Sequence, residues 1–398
     1  MRARYGRALV ASVTLVQGTA LIPFLAGALA VQLQGDLGFA DRELGLAVTI
    51  YFGISAMVSP FSGGYADRTG WRRSLRVSAV LAIITLTGIA VTVDDFASLA
   101  AWMVIGGIGH GFGAPTSNLI LVEELPPHRH GLAFGIKQAS PPMASILAGL
   151  AVPAVALTIG WRWAFGLALA IPPIALWASF MSRLPGQATR KPAPPTTDDP
   201  EPRTQAYLRL ALLTGIGTLG SGPIITFTVR TLVESGVGNG LAGTLFAVAS
   251  VIALLVRVGG GHLCDRRGIG GIPFAGSLLA VGAAGMVLLA IGTPATTIAG
   301  TFVALGAGWG WFGLLLLGVA QVAPRRAGRM TGVMMSAGAA GAAIGPFAFG
   351  VLADAWGFGP AWSTMVVTTA VSAGLILRQS SAWAPGRWKP TSAEPAHP

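Results

Sequence analysis

Gly63-Gly64-Tyr65-Ala66-Asp67-Arg68-Thr69-Gly70-Trp71-Arg72-Arg73 is the stretch that decides how this chain folds. It is a short charged turn between two long apolar runs. Its pattern is a Gly, then Asp-Arg four residues on, then a Gly two after the Arg. The pattern returns as Gly261-His262-Leu263-Cys264-Asp265-Arg266-Arg267-Gly268. The two copies start 198 residues apart (261 minus 63), half of a 398-residue chain. A charged corner that recurs at half the length of an apolar chain predicts a duplicated bundle of membrane-spanning helices.

Composition points the same way. Hydrophobic residues make up 53 % and charged residues 10 %, against about 25 % charged in a soluble domain. So little charge cannot solvate a globule of this size. The net charge of +11 is scattered through loops, which argues for orientation in a bilayer and against nucleic acid. The single cysteine, Cys264, excludes a disulfide framework and a cysteine-based metal site. Ala28-Leu29-Ala30 has the look of a signal cleavage site. The apolar run before it is too long for a signal peptide and more spans follow, so the first span is expected to stay.

About 20 apolar residues cross the hydrocarbon. Twelve such runs are predicted: 8–33, 43–64, 74–93, 96–122, 131–158, 162–182, 206–232, 241–263, 272–292, 295–322, 329–353 and 360–378. The Pro-rich polar stretch 183–205 reads as a linker between an N-terminal six-helix bundle (1–182) and a C-terminal one (206–379). Residues 380–398 read as a disordered cytoplasmic tail. Alternate loops hold 22 and 3 Arg plus Lys, with Lys137 inside a span. That asymmetry predicts both termini in the cytoplasm. Gly160-Trp161-Arg162-Trp163 and Gly357-Phe358-Gly359-Pro360-Ala361-Trp362 precede the sixth and twelfth spans, a second echo at nearly the same interval.

A charged turn of this kind between the second and third spans of each half resembles the cytoplasmic loop signature of the major facilitator superfamily. The resemblance covers residues 8–378. It implies an all-α membrane protein of twelve transmembrane helices in two pseudo-symmetric six-helix bundles. It also implies a substrate site near the midplane between them and transport by alternating access. It further implies that Asp67 pairs across the bundle interface with the start of the eleventh span, near Arg329, and holds a cytoplasmic gate shut. Gly63 and Gly70 allow the tight turn, Arg68 and Arg72 flank it, and Asp265, Arg266 and Arg257 form the copy in the second half. The run Gly131 to Gln138 and Asn118 are similar to the bacterial branch with cyanate-type and organic-anion permeases.

The candidate substrate residues are few. Lys137, six residues into the fifth span, must face a cavity, pair or snorkel, because a lysine at a span centre costs about 2.5–3.5 kcal/mol. Lys137 and Gln138 are read as lining the pathway and attracting an anion. His110, in Gly109-His110-Gly111, is the one titratable group near the midplane with an ordinary pKa near physiological pH. The acids Asp36, Asp41, Glu43, Asp94, Asp95, Glu123, Glu124, Glu234 and Asp354 fall in loops or near span ends. Gln17, Tyr51 and Asn118 are uncharged polar candidates, and Trp309 and Trp311 could flank a solute in the tenth span. Arg230 and Glu234, four apart, read as a surface pair.

Two departures from the resemblance bear on coupling and cargo. Proton-driven members often carry an Arg four residues before the Gly107, Gly109, Gly111 run, and Met103 stands there instead. The drug-exporter pattern expected in the fifth span is missing, and a partial one, Gly341 to Pro346, lies in the eleventh. No phosphate-binding loop, nucleophile site or metal-ligand cluster is present in the sequence. The expectation is therefore a plasma-membrane secondary transporter, not an enzyme, without cofactor or metal. Its partners are a small-molecule substrate and the lipid bilayer, with a proton as the candidate coupling ion. It is expected to be a monomer that binds no nucleic acid. The first reading is a small anion or organic acid. The alternatives are proton-coupled drug efflux, with His110 as the proton group, and a transporter-like sensor that moves nothing.

Overall fold

The computed structural model describes residues 2–126, 133, 136–181, 204–267, 270–322 and 327–379. The linker 183–203 and the tail 380–398 lie outside these, as do the side chains of Asp67, Asp265 and Arg329. The described residues form helices and no strand. In chain order the helices are α1 (Arg2–Ala28), α2 (Ala30–Leu37), α3 (Asp41–Thr69), α4 (Trp71–Thr92), α5 (Phe96–Glu124), α6 (Ser140–Ala151), α7 (Trp161–Ala168), α8 (Pro172–Met181), α9 (Thr204–Ser221), α10 (Pro223–Glu234), α11 (Asn239–Arg267), α12 (Gly271–Ile291), α13 (Pro294–Gly308), α14 (Trp311–Val322), α15 (Ala327–Trp356) and α16 (Phe358–Gln379). A π-helical turn, Val152–Ala156, extends α6. Eleven helical stretches among the described residues are long and apolar enough to cross a membrane, and Ser140–Ala156 is a shorter apolar one. The architecture is the all-α, twelve-helix membrane fold.

Four of the predicted spans are broken helices. The sixth breaks at Leu169–Ile171 and the seventh at Gly222. Pro172 and Pro223 begin the next segments, where the missing N–H and the ring weaken a continuous helix. The first breaks at Leu29 and the tenth at Trp309-Gly310. Breaks inside a span are tolerated where the freed backbone groups face protein instead of lipid.

The part of the chain before the linker meets the part after it along three seams: α3 with α15, α6 with α11, and α1 with α10. Glycine makes these seams close. A Cβ at Gly45 would lie 2.2 Å from the Pro346 carbonyl oxygen. One at Gly243 would lie 2.5 Å from the Val152 Cβ and 2.7 Å from the Gly149 oxygen. Gly45 and Gly243 are 198 residues apart (243 minus 45), the interval of the two charged turns. The α3–α15 and α6–α11 seams are thus built at equivalent positions of a repeated sequence.

One end of the bundle carries the α2–α3, α10–α11 and α15–α16 junctions and is tied by charge. α3 starts after Ala40, which has no side-chain acceptor for the first N–H groups. Asp354, at the end of α15, supplies one from the opposite half. It accepts from the N–H of Asp41 at 3.1 Å and from that of Arg42 at 3.0 Å. The Asp41 carboxylate in turn accepts from Gln34 Nε2 at 2.7 Å and lies 3.6 Å from Arg230. Arg230 also pairs with Glu234 at 2.7 Å and lies over the Phe358 ring. The pair read as a surface contact is therefore part of a network joining α2, α3, α10 and α15. At the opposite end the α3–α4 corner turns on Gly70, whose φ of +84° suits only glycine. Trp71 Nε1 there donates to Glu124 at 3.3 Å.

Candidate functional site

The site begins with what proline does to the start of α6. In a helix the carbonyls of Lys137 and Gln138 would accept from residues 141 and 142. Both are proline and have no N–H. The Gln138 carbonyl accepts instead from Arg257 Nη1 at 3.2 Å. The break between α13 and α14 frees a second carbonyl, Trp309, which accepts from Arg257 Nη2 at 2.6 Å. The guanidinium also lies 5.7 Å from the centroid of the Trp309 ring, and Phe24 of α1 meets that ring edge-on at 6.1 Å. One arginine therefore joins α11, the start of α6 and the α13–α14 break.

This placement corrects the sequence reading of Arg257. It was grouped with Asp265 and Arg266 at the second charged turn. The structure puts it ten residues before the end of α11, about 15 Å inside the helix end. The predicted span 241–263 already held Arg257, and the helix that forms there carries it away from the charged turn. Arg266 is exposed near the helix end.

Lys137 is buried, and its Nζ donates to Asn118 Oδ1 on α5. Gln17, on α1, is spent on the backbone of α6. Its amide nitrogen donates to the Ser140 carbonyl at 2.8 Å, and its oxygen accepts from the Ala144 N–H at 3.1 Å. His110 sits between the Tyr51 and Phe52 rings at 5.5 and 5.9 Å. Its Nδ1 is 3.0 Å from Thr19 Oγ1. The Thr19 hydroxyl hydrogen has the Leu15 carbonyl to go to, at 3.1 Å, so Oγ1 can accept and the Nδ1–H tautomer fits. Tyr51 is fully buried and donates to the Thr19 carbonyl at 2.6 Å. Trp311 is buried, with Nε1 3.3 Å from Ser221 Oγ.

Two groupings result. Lys137, Asn118 and Gln17 surround the start of α6, which Gln138 ties to Arg257 and Trp309. His110 and Tyr51 share Thr19 on α1. Among the gate residues, Arg68 is exposed, no atom lies within 4 Å of where a Cβ at Gly63 would sit, and Arg72 stacks on the Trp71 ring at 5.2 Å. The side chains of Asp67, Asp265 and Arg329, which would complete that gate, lie outside the described residues. Among the described residues no group of three His, Cys, Asp or Glu could hold a metal ion. The sequence reading missed the bonds of Arg257 to Gln138 and Trp309. Pro141-Pro142 was the available signal for the first, since carbonyls freed inside a span need a donor.

A helical carrier fold with cations inside the membrane and acids at its ends defines a class, the polytopic solute transporters. The chain belongs to the Major Facilitator Superfamily, whose family model matches residues 8–346. It is similar to the 2-nitroimidazole transporter of Escherichia coli (strain K12), 26 % identical over 91 % of this chain and 92 % of that protein. It is also similar to the multidrug resistance protein MdtG of Klebsiella pneumoniae (strain 342), 29 % identical over 62 % of this chain and 62 % of that protein. The chain therefore matches only about three-fifths of the MdtG length. Among solved structures it superimposes on a D-xylose-proton symporter with a TM-score of 0.72 at 17 % identity, covering 93 % of this chain and 96 % of that one. A bacterial homolog of the human lysosomal transporter Spinster matches with a TM-score of 0.71 at 17 % identity, covering 98 % and 100 %. The protein is a multi-pass membrane protein of this superfamily.

Proposed function

We propose that this transporter carries a small organic anion across the plasma membrane by alternating access, with Lys137 as the charge that draws the anion in. The observation that carries the reading is the Lys137 amine, buried beside Asn118 and one residue from the backbone that Arg257 ties to the other half. An ammonium held that deep costs about 2.5–3.5 kcal/mol. A transported anion offsets that cost at the moment it binds. In this reading the segments 1–182 and 206–379 rock against each other, the stretch 183–205 links them on the cytoplasmic side, and both termini are cytoplasmic. Asp67 against the start of α15, with Asp265 and Arg266 as the copy, closes the cytoplasmic gate.

A second reading, efflux of a neutral drug-like solute, is supported by the names of the relatives. A nitroaromatic ring would suit the aromatic nest of His110, Tyr51 and Phe52, and proton coupling would then run through His110. The two readings part in proteoliposomes. Under the first, benzoate and related carboxylates exchange by counterflow, and Lys137→Ala lowers that flux about tenfold or more, the scale of a lost charge-assisted hydrogen bond. Lys137→Arg, which keeps the charge, retains part of it. Exchange of tetraphenylphosphonium or 2-nitroimidazole alone, with Lys137→Ala as active as wild type, would give the place to the second reading.

A further inference from the structure

Arg257 carries a charge that the protein answers with neutral dipoles. Two of its donors go to the carbonyls of Gln138 and Trp309. Its Nε is buried and has no hydrogen-bond partner. No carboxylate among the described residues lies within ion-pair distance of it. A buried guanidinium has five N–H donors and no acceptor, so its environment is short of negative charge.

Three buried side-chain polar atoms near this point of the chain lack a hydrogen bond: Arg257 Nε, Trp309 Nε1 and Ser140 Oγ. One is on the arginine, one is on the residue whose carbonyl it holds, and the third is two residues beyond its other carbonyl partner. A buried indole N–H ordinarily finds an acceptor. The Trp309 N–H has none, on a ring whose centroid lies 5.7 Å from the guanidinium, with the Phe24 ring against it at 6.1 Å.

The missing group must accept hydrogen bonds from two separate donors and carry negative charge. A carboxylate does both, because each of its two oxygens can accept from one N–H and the bond to the guanidinium is charge-assisted. We propose that Arg257 and Trp309 form a second anion subsite, on the opposite half from Lys137, that receives the carboxylate of an aromatic monocarboxylic acid. The carboxylate takes the Arg257 Nε and Trp309 Nε1 donors, and the ring of the acid lies against Phe24 and the Trp309 indole. This rests on the reading that the solute is an organic anion, and it moves the specificity for a carboxylate from Lys137 to Arg257.

The test is thermal melting of the full chain in detergent, titrated with sodium benzoate against sodium chloride at equal ionic strength. The variants are Arg257→Gln, Trp309→Phe and Lys137→Ala. Benzoate is expected to stabilise wild type. Its apparent Kd should rise about tenfold or more in Arg257→Gln and several-fold in Trp309→Phe, the scale of lost charged and neutral hydrogen bonds. Trp309→Phe keeps an aromatic face while removing the N–H and part of the indole, so it gives a second reading should the arginine variant not fold. Benzoate binding unchanged in Trp309→Phe and Arg257→Gln but lost in Lys137→Ala would overturn the subsite and leave the anion reading standing. Stabilisation of wild type by 2-nitroimidazole or tetraphenylphosphonium, with none by benzoate, would overturn both.

Discussion

Gly45→Val is expected to abolish transport while leaving the protein folded and inserted. A Cβ at that position would lie 2.2 Å from the Pro346 oxygen, 2.7 Å from the Pro346 carbon and 2.9 Å from the Phe347 Cα. All three are backbone atoms, so no rotamer change relieves the clash. The α3 and α15 helices must separate by about 1 Å before the contact reaches ordinary van der Waals distance. They cannot do so at one point alone, because Thr49 donates to the Ala343 carbonyl one turn along. A turn in the other direction, a Cβ at Gly350 would meet the Asp41 oxygen at 2.4 Å. Overpacking of this kind costs about 1–3 kcal/mol or more, enough to shift a two-state equilibrium about tenfold to a hundredfold. The measurement is labelling of a cysteine introduced at Val48, a buried residue of α3 one turn from Gly45, in a Cys264→Ser background. Labelling from the Asp41 side should rise in Gly45→Val, and transport should fall at least tenfold. Gly53→Val serves as control, since nothing lies within 4 Å of where its Cβ would sit. Unchanged labelling and rate in Gly45→Val would mean that closure of this seam is not part of the cycle.

The second large effect is expected from Asp354→Ala. An N-cap is worth about 0.5–2 kcal/mol, and a carboxylate at a helix N-terminus adds about 0.3–1 kcal/mol at exposed sites. Ordinarily that energy belongs to the helix, because the cap precedes it in sequence. Here the cap comes from α15, so it is gained only while α3 and α15 are together at this end. Its loss should therefore change the balance of conformations more than the melting temperature. Labelling at the seam should rise about fivefold to thirtyfold, as 1–2 kcal/mol dictates. Asp354→Asn keeps an acceptor oxygen without the charge, and should fall between Ala and wild type. A drop in melting temperature with no change in labelling would reduce Asp354 to an ordinary stabilising contact. The neighbouring bond from Gln34 and ion pair from Arg230 act on Asp41, so their removal should add less than fully to the Asp354 effect.

Both expectations turn on the same physical point. The seams combine close glycine contacts with polar ties between the halves, the borrowed cap among them. The apolar core that does bridge the halves, with Phe24, Phe227, Phe246 and Phe349 fully or nearly fully buried, is arranged alongside these polar ties.

Much of the fold was legible along the chain because membrane helices obey local arithmetic. About 20 apolar residues cross the hydrocarbon wherever they occur, so the runs could be counted with no knowledge of their neighbours. The charged turn Gly63 to Arg73 and its echo at Gly261 led to the family, because both are read within a dozen residues. Lys137 stood out for the same reason, since a lysine in an apolar run is conspicuous without any partner. The breaks at Gly222-Pro223 and Ile171-Pro172 fall at prolines, but Pro23, Pro60, Pro115 and Pro346 lie inside unbroken helices, so the residue type alone did not mark them.

What the tertiary structure alone decided concerns groups that meet across the two halves. Arg257 falls inside the predicted span 241–263, but nothing nearby says that two freed carbonyls from separate helix breaks await it. The N–H of Trp309 is an unremarkable donor until packing removes every acceptor from around it. Asp354 looks like an ordinary acid at a helix end, and only the approach of Gly350 to Asp41 brings it to the start of α3. Local composition sets which segments enter the membrane, since that is a balance between each segment and its solvent. Partnership between residues hundreds of positions apart depends on how closely two helix backbones approach, and glycines spaced 198 residues apart acquire that meaning only when the halves are folded together.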